Sequence, residues 1–149
     1  EMSASLVGSE MCIRDSLTVA QLTAMLNTIP LEITFVDEDN INRFFNEGPK
    51  DFKRPGMAID REVFSCHPPK VEQQVRHIIG EFRKGTLDKV PIWMEKNGKT
   101  MLVTYMAVRD AAGTYLGTME LVQDMGFAKE HFLSDVKAKE AALRAGMED

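Results

Sequence analysis

A cysteine and a histidine stand side by side in the middle of the chain, at Cys66 and His67, directly before Pro68 and Pro69. A histidine beside a rigid proline pair could serve as an axial ligand of haem. A cysteine at this place could act as a redox-sensing thiol or as a metal ligand. The structural alternative is that His67 hydrogen-bonds a backbone carbonyl and fixes the entry to the following helix. Both interpretations stay open at the level of the sequence.

A metal site made only of protein side chains is not expected. His77 falls on the polar side of the predicted helix, His131 lies far along the chain, and neither a Cys-x-x-Cys nor a His-x-x-x-His spacing occurs. Catalysis is not indicated either, because Ser65 is adjacent to Cys66 and His67, and adjacent side chains rarely face each other productively. The chain also has no glycine-rich phosphate loop. We therefore predict a protein that is not an enzyme.

The composition indicates a domain that buries a core and works in a reducing setting. The 149 residues suit one domain, and 44% of them are hydrophobic. A formal net charge of −5 argues against nucleic-acid partners, since phosphate binding needs a basic surface. No apolar run approaches the roughly 20 residues of a membrane span. The two cysteines, Cys12 and Cys66, imply no disulfide framework, so we expect a cytoplasmic protein.

Three segments are expected. Residues 1–16 are interpreted as a non-native or disordered leader, residues 17–126 as the folded domain, and residues 127–149 as a linker or dimerisation helix. Within the domain, Thr18 and Gln21 predict a capping box at the start of a helix that ends before Pro30. Asn97-Gly98 predicts a type I′ hairpin turn.

Apolar periodicity predicts the remaining elements. Helices are expected at residues 17–29, 60–64, 70–84 and 127–147, and strands at residues 31–36, 41–45, 87–95, 100–109 and 114–123. An initial hairpin and a final three-stranded meander can join into one five-stranded antiparallel sheet with helices on one face, an α+β fold. A small ligand would then bind in the cavity between sheet and helices.

Several motifs resemble one family. They are I-T-F-V-D-E (33–38), C-H-P-P-K (66–70), I-W-M (92–94), A-V-R-D-x-x-G-x-Y-L-G (107–117) and M-E-L-V-Q-D (119–124). Together they resemble the PAS domains at the C-terminal end of bacterial proteins that carry hemerythrin-like and related domains of unknown function. The resemblance covers residues 17–125. The family usually has glycine at the position of Asp60 and serine at that of Val71.

The resemblance implies a sensory or interaction module. It would bind a small molecule or cofactor in the cavity and relay a conformational change through its terminal helices, with a homodimer as the expected assembly. Haem or thiol-based sensing through His67 and Cys66 is the second hypothesis, and a ligand-free dimerisation domain is the third. Besides Cys66 and His67, the candidate binding residues are large side chains expected to point inward. These are Phe35, Phe45, Phe64, Ile78, Trp93, Tyr105 and Met119. The alternative for them is plain core packing.

Overall fold

The computed structural model describes residues 16–52 and 59–146. Its contacts divide the chain into two compact units, Glu1–Pro30 and Leu31–Asp149. The first unit contains helix α1, Val19–Thr28. The predicted capping box is confirmed: the Thr18 hydroxyl accepts from the Gln21 amide at 3.1 Å, and the Gln21 side chain accepts from the Thr18 amide at 2.9 Å. The predicted leader lies outside the described residues except for Ser16.

The second unit is built on one five-stranded antiparallel sheet. Its strands are β1 (Glu32–Asp37), β2 (Asn42–Phe45), β3 (Lys89–Lys96), β4 (Lys99–Arg109) and β5 (Tyr115–Asp124), in the spatial order β2-β1-β5-β4-β3. The predicted joining of hairpin and meander is confirmed, because β1 pairs with β5. The turn between β3 and β4 has φ of 53° at Asn97 and 75° at Gly98, as a type I′ turn requires.

The segment between β2 and β3 is helical in two steps. A 3-10 helix spans Val63–Cys66, and helix α2 spans Pro69–Lys84. The expected helix at residues 60–64 is therefore displaced, since Asp60 has a φ of 61°, outside the right-handed helical region. Aspartate tolerates this conformation better than most residues. Pro69 occupies the first turn of α2, where its missing N–H costs nothing.

Helix α2 covers one side of the sheet, called here the helix-facing side. Its stripe of Val75, Ile78, Ile79 and Phe82 is buried. Val75 and Ile79 form a cluster with Val36 of β1 and with Val63 and Phe64 of the 3-10 helix. Gly85 ends the helix with a φ of 74°, the left-handed conformation typical of a C-terminal glycine cap. The opposite side of the sheet is called the outer side.

Helix α3, Gly126–Ala145, follows β5 directly. None of its described residues is buried, and its large apolar side chains are exposed: Phe127, Phe132, Leu133, Val136 and Leu143. A helix with so thin an apolar stripe gains little from packing within the chain. Among the described residues, no helix is long and apolar enough to cross a membrane.

Candidate functional site

One row of directly paired residues crosses all five strands on the helix-facing side. Thr34 of β1 pairs with Phe45 of β2 and with Glu120 of β5, and Glu120 pairs with Tyr105 of β4. Tyr105 in turn pairs with Val90 of β3. Directly paired residues of an antiparallel sheet share one face, so these five side chains, called here the central row, stand side by side.

The middle of the central row is polar although it is buried. Thr34 is 7% exposed and Glu120 is 8% exposed. Burial of a carboxyl group is costly unless polar partners surround it, and Glu120 has a hydroxyl-bearing neighbour on each side, Thr34 and Tyr105. The row therefore places an acid and two hydroxyl groups, which can both donate and accept hydrogen bonds, in the interior.

An apolar cluster lies on each side of the central row. The first contains Val36, which lies two residues from Thr34 along β1. The second consists of Met101, Val103 and Val122, against which Phe52, Met94 and Tyr105 pack. Between two apolar clusters, a polar row can orient a small molecule while the clusters contribute most of its buried surface.

His67 lies at the junction of the 3-10 helix and α2, and its side chain is half-buried. Its Nδ1 atom is 2.8 Å from the carbonyl oxygen of Val63. Since a carbonyl oxygen only accepts, Nδ1 carries the proton in this contact. The hydrogen bond predicted by the structural interpretation is thus present. It also leaves Nε2 of the neutral ring with a lone pair, the arrangement that metal-ligating histidines commonly have. The position of the Cys66 side chain lies outside the part of the chain that the structure describes.

The other candidate residues divide between the two sides of the sheet. Phe45 and Tyr105 belong to the central row, and Phe64 and Ile78 are buried on the elements that cover it, at 5% and 4% exposure. The guanidinium of Arg76 lies 3.7 Å from the centre of the Phe64 ring. Phe45 and Tyr105 are half-buried, so of these four side chains only Phe64 and Ile78 are fully buried.

Phe35, Met119 and Trp93 lie on the outer side of the sheet, opposite the side that α2 covers. In the uninterrupted pairing of β1 with β5, Val36 pairs with Thr118 and Phe35 pairs with Met119, which places Phe35 and Met119 on the outer side. Trp93 pairs with Leu102 on the outer side and is 60% exposed.

Sequence reasoning missed Thr34 and Glu120. A sequence signal for Glu120 exists, because it lies two residues from Thr118 and two from Val122. The period of two in a strand assigns all three side chains to one face. Thr34 likewise shares a face with Val36. Their proximity becomes visible only when β5 is known to pair with β1, which no local pattern shows.

A chain of polar contacts connects the segment before the helical region to the start of α3. The ammonium of Lys99 lies 2.9 Å from Asp51 Oδ1 and 3.7 Å from Asp124 Oδ2, and the contact with Asp51 contributes most to raising the pKa of Lys99. The other oxygen of Asp124 accepts from the amide of Gly126, the first residue of α3, at 2.9 Å. Asp51 precedes Phe52, which packs on the second apolar cluster.

A second tie holds the first turn of α3 to the hairpin between β3 and β4. The ammonium of Lys129 donates to the Thr100 hydroxyl at 2.9 Å and lies 3.5 Å from Glu95. The Thr100 hydroxyl in turn donates to Glu95 at 2.6 Å. The hydrogen bond from Thr100 contributes most to lowering the pKa of Glu95, and Lys129 adds to the effect. Within the described ranges, no group of three or more His, Cys, Asp or Glu side chains is arranged to hold a metal ion.

Comparisons with known proteins agree with this architecture. A family model described as a PAS domain matches residues 22–126. The crystal structure of a C-terminal domain from Streptococcus mutans shares 41% sequence identity, covers 78% of this chain and 92% of that chain, and gives a TM-score of 0.74. A search of curated protein sequences found no match.

Two more distant structures share the fold. The PAS domain of a protein from Colwellia psychrerythraea has 14% identity, covers 72% of this chain and 97% of that chain, and gives a TM-score of 0.51. A sensory box sensor histidine kinase from Vibrio cholerae has 13% identity, covers 83% of this chain and 97% of that chain, and gives a TM-score of 0.50.

Proposed function

Because the chain belongs to the PAS domain family, we propose that it is a sensory module whose small-molecule ligand binds against the central row. The observation that carries this proposal is the polar group of buried Thr34 and Glu120 and half-buried Tyr105, which lies between two apolar clusters. The ligand class is a small molecule with hydrogen-bonding groups at its centre and apolar surface at its ends. PAS domains are generally sensory rather than catalytic, so we propose no enzymatic activity.

The proposed output element is helix α3. A ligand shifts a conformational equilibrium only if it binds two conformers differently. Lys99 supplies a route for such a difference, since it contacts both Asp51, next to the second apolar cluster, and Asp124, which holds the first amide of α3. Displacement of Phe52 by a ligand would pull on this contact and loosen or tighten the start of α3.

We further propose that the protein works as a cytoplasmic homodimer. The exposed apolar side chains of α3 and of the outer side of the sheet support association. In this proposal residues 17–126 form the sensory domain and residues 127–149 the linker or dimerisation helix. The association with hemerythrin-like multidomain proteins stays a prediction.

A matched pair of threonines tests the binding proposal. Thr34 and Thr104 are both buried in the sheet, at 7% and 4% exposure, but Thr34 lies on the helix-facing side and Thr104 on the outer side. Thermal melting of the full chain against a library of polar metabolites should identify compounds that raise Tm. Thr34→Val should lose this response and Thr104→Val should keep it. Equal responses in both variants would contradict the proposed site.

Haem binding is the second candidate, and the Val63 contact of His67 favours it. Because Nδ1 is held by a carbonyl oxygen, the neutral ring presents Nε2 as a donor atom, which fits an axial ligand of haem iron. Bound haem would supply a redox- or gas-responsive group. Titration with hemin should give a shifted Soret band in the wild type and lose it in His67→Ala. A Soret shift that survives in His67→Ala would exclude His67 as the ligand.

A further inference from the structure

Trp93 is the single tryptophan of the chain, and most of its side chain lies in solvent. It is 60% exposed on the outer side of β3. Pro91, two residues earlier, is exposed on the same side. Half-buried Leu102 of β4 pairs directly with Trp93 and lies on that side too. Tryptophan is enriched among the residues that contribute most to protein interfaces. This surface of Pro91, Trp93 and Leu102, called here the tryptophan surface, is therefore a candidate contact.

The position of β3 limits how a partner can approach. β3 is an edge strand in the sheet of the described residues, since its neighbour is β4 on one side only. An edge strand can extend a sheet by pairing with another strand, but Pro91 lacks the N–H that such a ladder needs. Association is thus expected through the outer side of the sheet rather than through its edge.

The charges around the tryptophan surface are arranged for a copy of the same surface. Lys89 and Glu95 are both exposed on the side of Trp93, and each lies three residues from Ile92. A two-fold rotation that reverses the strand direction places Lys89 next to the partner's Glu95, and the reciprocal pair forms by symmetry. A rotation that keeps the strand direction would bring like charges together, which disfavours that arrangement.

We propose that the tryptophan surface is where a second copy of this chain docks, with the two β3 strands antiparallel and Lys89 facing the partner's Glu95. This inference rests on the homodimer proposed above and names its interface. Glu95 already lies 3.5 Å from Lys129 of its own chain, so the partner's Lys89 adds a second cation to that carboxylate.

Sedimentation velocity of the full chain over a concentration series tests the location of the interface. The matched control is Phe132 of α3, which is 66% exposed. We expect a dimer in the wild type and in Phe132→Ala. In Trp93→Ala the dimer dissociation constant should rise at least about tenfold, as for a central interface tryptophan. Circular dichroism confirms that each variant is folded. The Trp93 emission should also shift to the blue as the wild type dimerises.

Two results would overturn the inference in distinguishable ways. Loss of the dimer in Phe132→Ala with no change in Trp93→Ala would place the interface on α3 and leave the homodimer standing. A wild type that stays monomeric would contradict both the proposed interface and the proposed homodimer. Orientation is tested by Lys89→Glu, which should weaken the dimer, and by Lys89→Glu combined with Glu95→Lys, which should restore it. An unchanged dimer in Lys89→Glu would overturn the antiparallel arrangement.

Discussion

The Nδ1 atom of His67 donates to the carbonyl oxygen of Val63 over 2.8 Å, across the whole length of the 3-10 helix. The contact closes the turn that delivers the chain to Pro69, the first residue of α2. It gives His67 a structural role whether or not Nε2 also binds a ligand.

Removal of this side chain should lower stability measurably. His67→Ala leaves the Val63 carbonyl without its side-chain donor, and a net hydrogen bond contributes about 1 kcal/mol. We expect the free energy of unfolding in urea to fall by about that amount. His77→Ala is the control, since His77 is exposed on α2 and its loss should change stability by less than about 0.5 kcal/mol. Equal effects of the two substitutions would contradict the assigned role.

Substitution by alanine should have opposite effects on stability at Gly117 and at Gly80. A Cβ at Gly117 would clash with the backbone oxygen of Val36 and lie 2.7 Å from the Phe35 ring, whereas a Cβ at Gly80 of α2 meets nothing within 4 Å. Gly117→Ala should therefore destabilise by about 1–3 kcal/mol or more. Gly80→Ala should stabilise by about 0.5–1 kcal/mol, because alanine favours the helix. Thermal melts compare the two, and a tolerated Gly117→Ala would contradict the close approach of β1 and β5.

Arg109 of the R-D-x-x-G-x-Y-L-G motif ties α2 to the sheet. Its guanidinium donates to the Phe82 carbonyl at 2.7 Å and to Asp88 at 3.0 Å. Its side chain is only 22% exposed. Arg109→Ala should cost about 1.5–3 kcal/mol, the range for hydrogen bonds to charged groups. Lys139→Ala, which removes an 80% exposed side chain 3.7 Å from Asp135, should cost less than about 0.5 kcal/mol. The prediction fails if both variants unfold at the same urea concentration.

The pH dependence of stability should include a contribution from Asp37. Partial burial raises the pKa of this carboxyl, but donors from the Ile41 amide, the Arg43 side chain and the Asp39 amide lower it more, so the net pKa lies below 3.8. A lowered folded-state pKa gives stability that is complete above the unfolded value and is lost as pH falls through the folded value. Asp37→Asn should be less stable than wild type at pH 7.

The difference between wild type and Asp37→Asn should shrink as pH falls below 3.8, the ordinary value for aspartate. Denaturant titrations at a series of pH values measure it. A difference that stays constant into the acid range would show that the Asp37 charge does not contribute.

The elements with local causes were predictable from the sequence. The capping box of Thr18 and Gln21 and the turn at Asn97-Gly98 depend on residues within four positions of each other, and both are confirmed. The five-stranded sheet followed from the order of hairpin and meander. The helix expected at residues 60–64 instead begins at Val63, because Asp60 takes a left-handed conformation. Aspartate tolerates this conformation, but the sequence pattern does not indicate it.

The site was only partly predictable, because it depends on strand pairing. Period-two alternation places Trp93 and Ile92 on opposite faces, but which face the helices cover is decided by the packing of α2 against Val36. Thr34 and Glu120 become neighbours only through the pairing of β1 with β5, although they are 86 residues apart in the sequence. The hydrogen bond of His67 to Val63 joins residues four positions apart, so the sequence could offer it as one of two interpretations.

The proposed ligand site lies against Thr34, Glu120 and Tyr105. The most direct test records amide NMR spectra of the full chain with and without a compound that raises Tm in the metabolite screen. We expect the largest chemical-shift changes at Thr34, Tyr105 and Glu120, with smaller changes at Gly126 at the start of α3. Changes confined to outer-side residues such as Phe35 and Met119, with none at the central row, would contradict it.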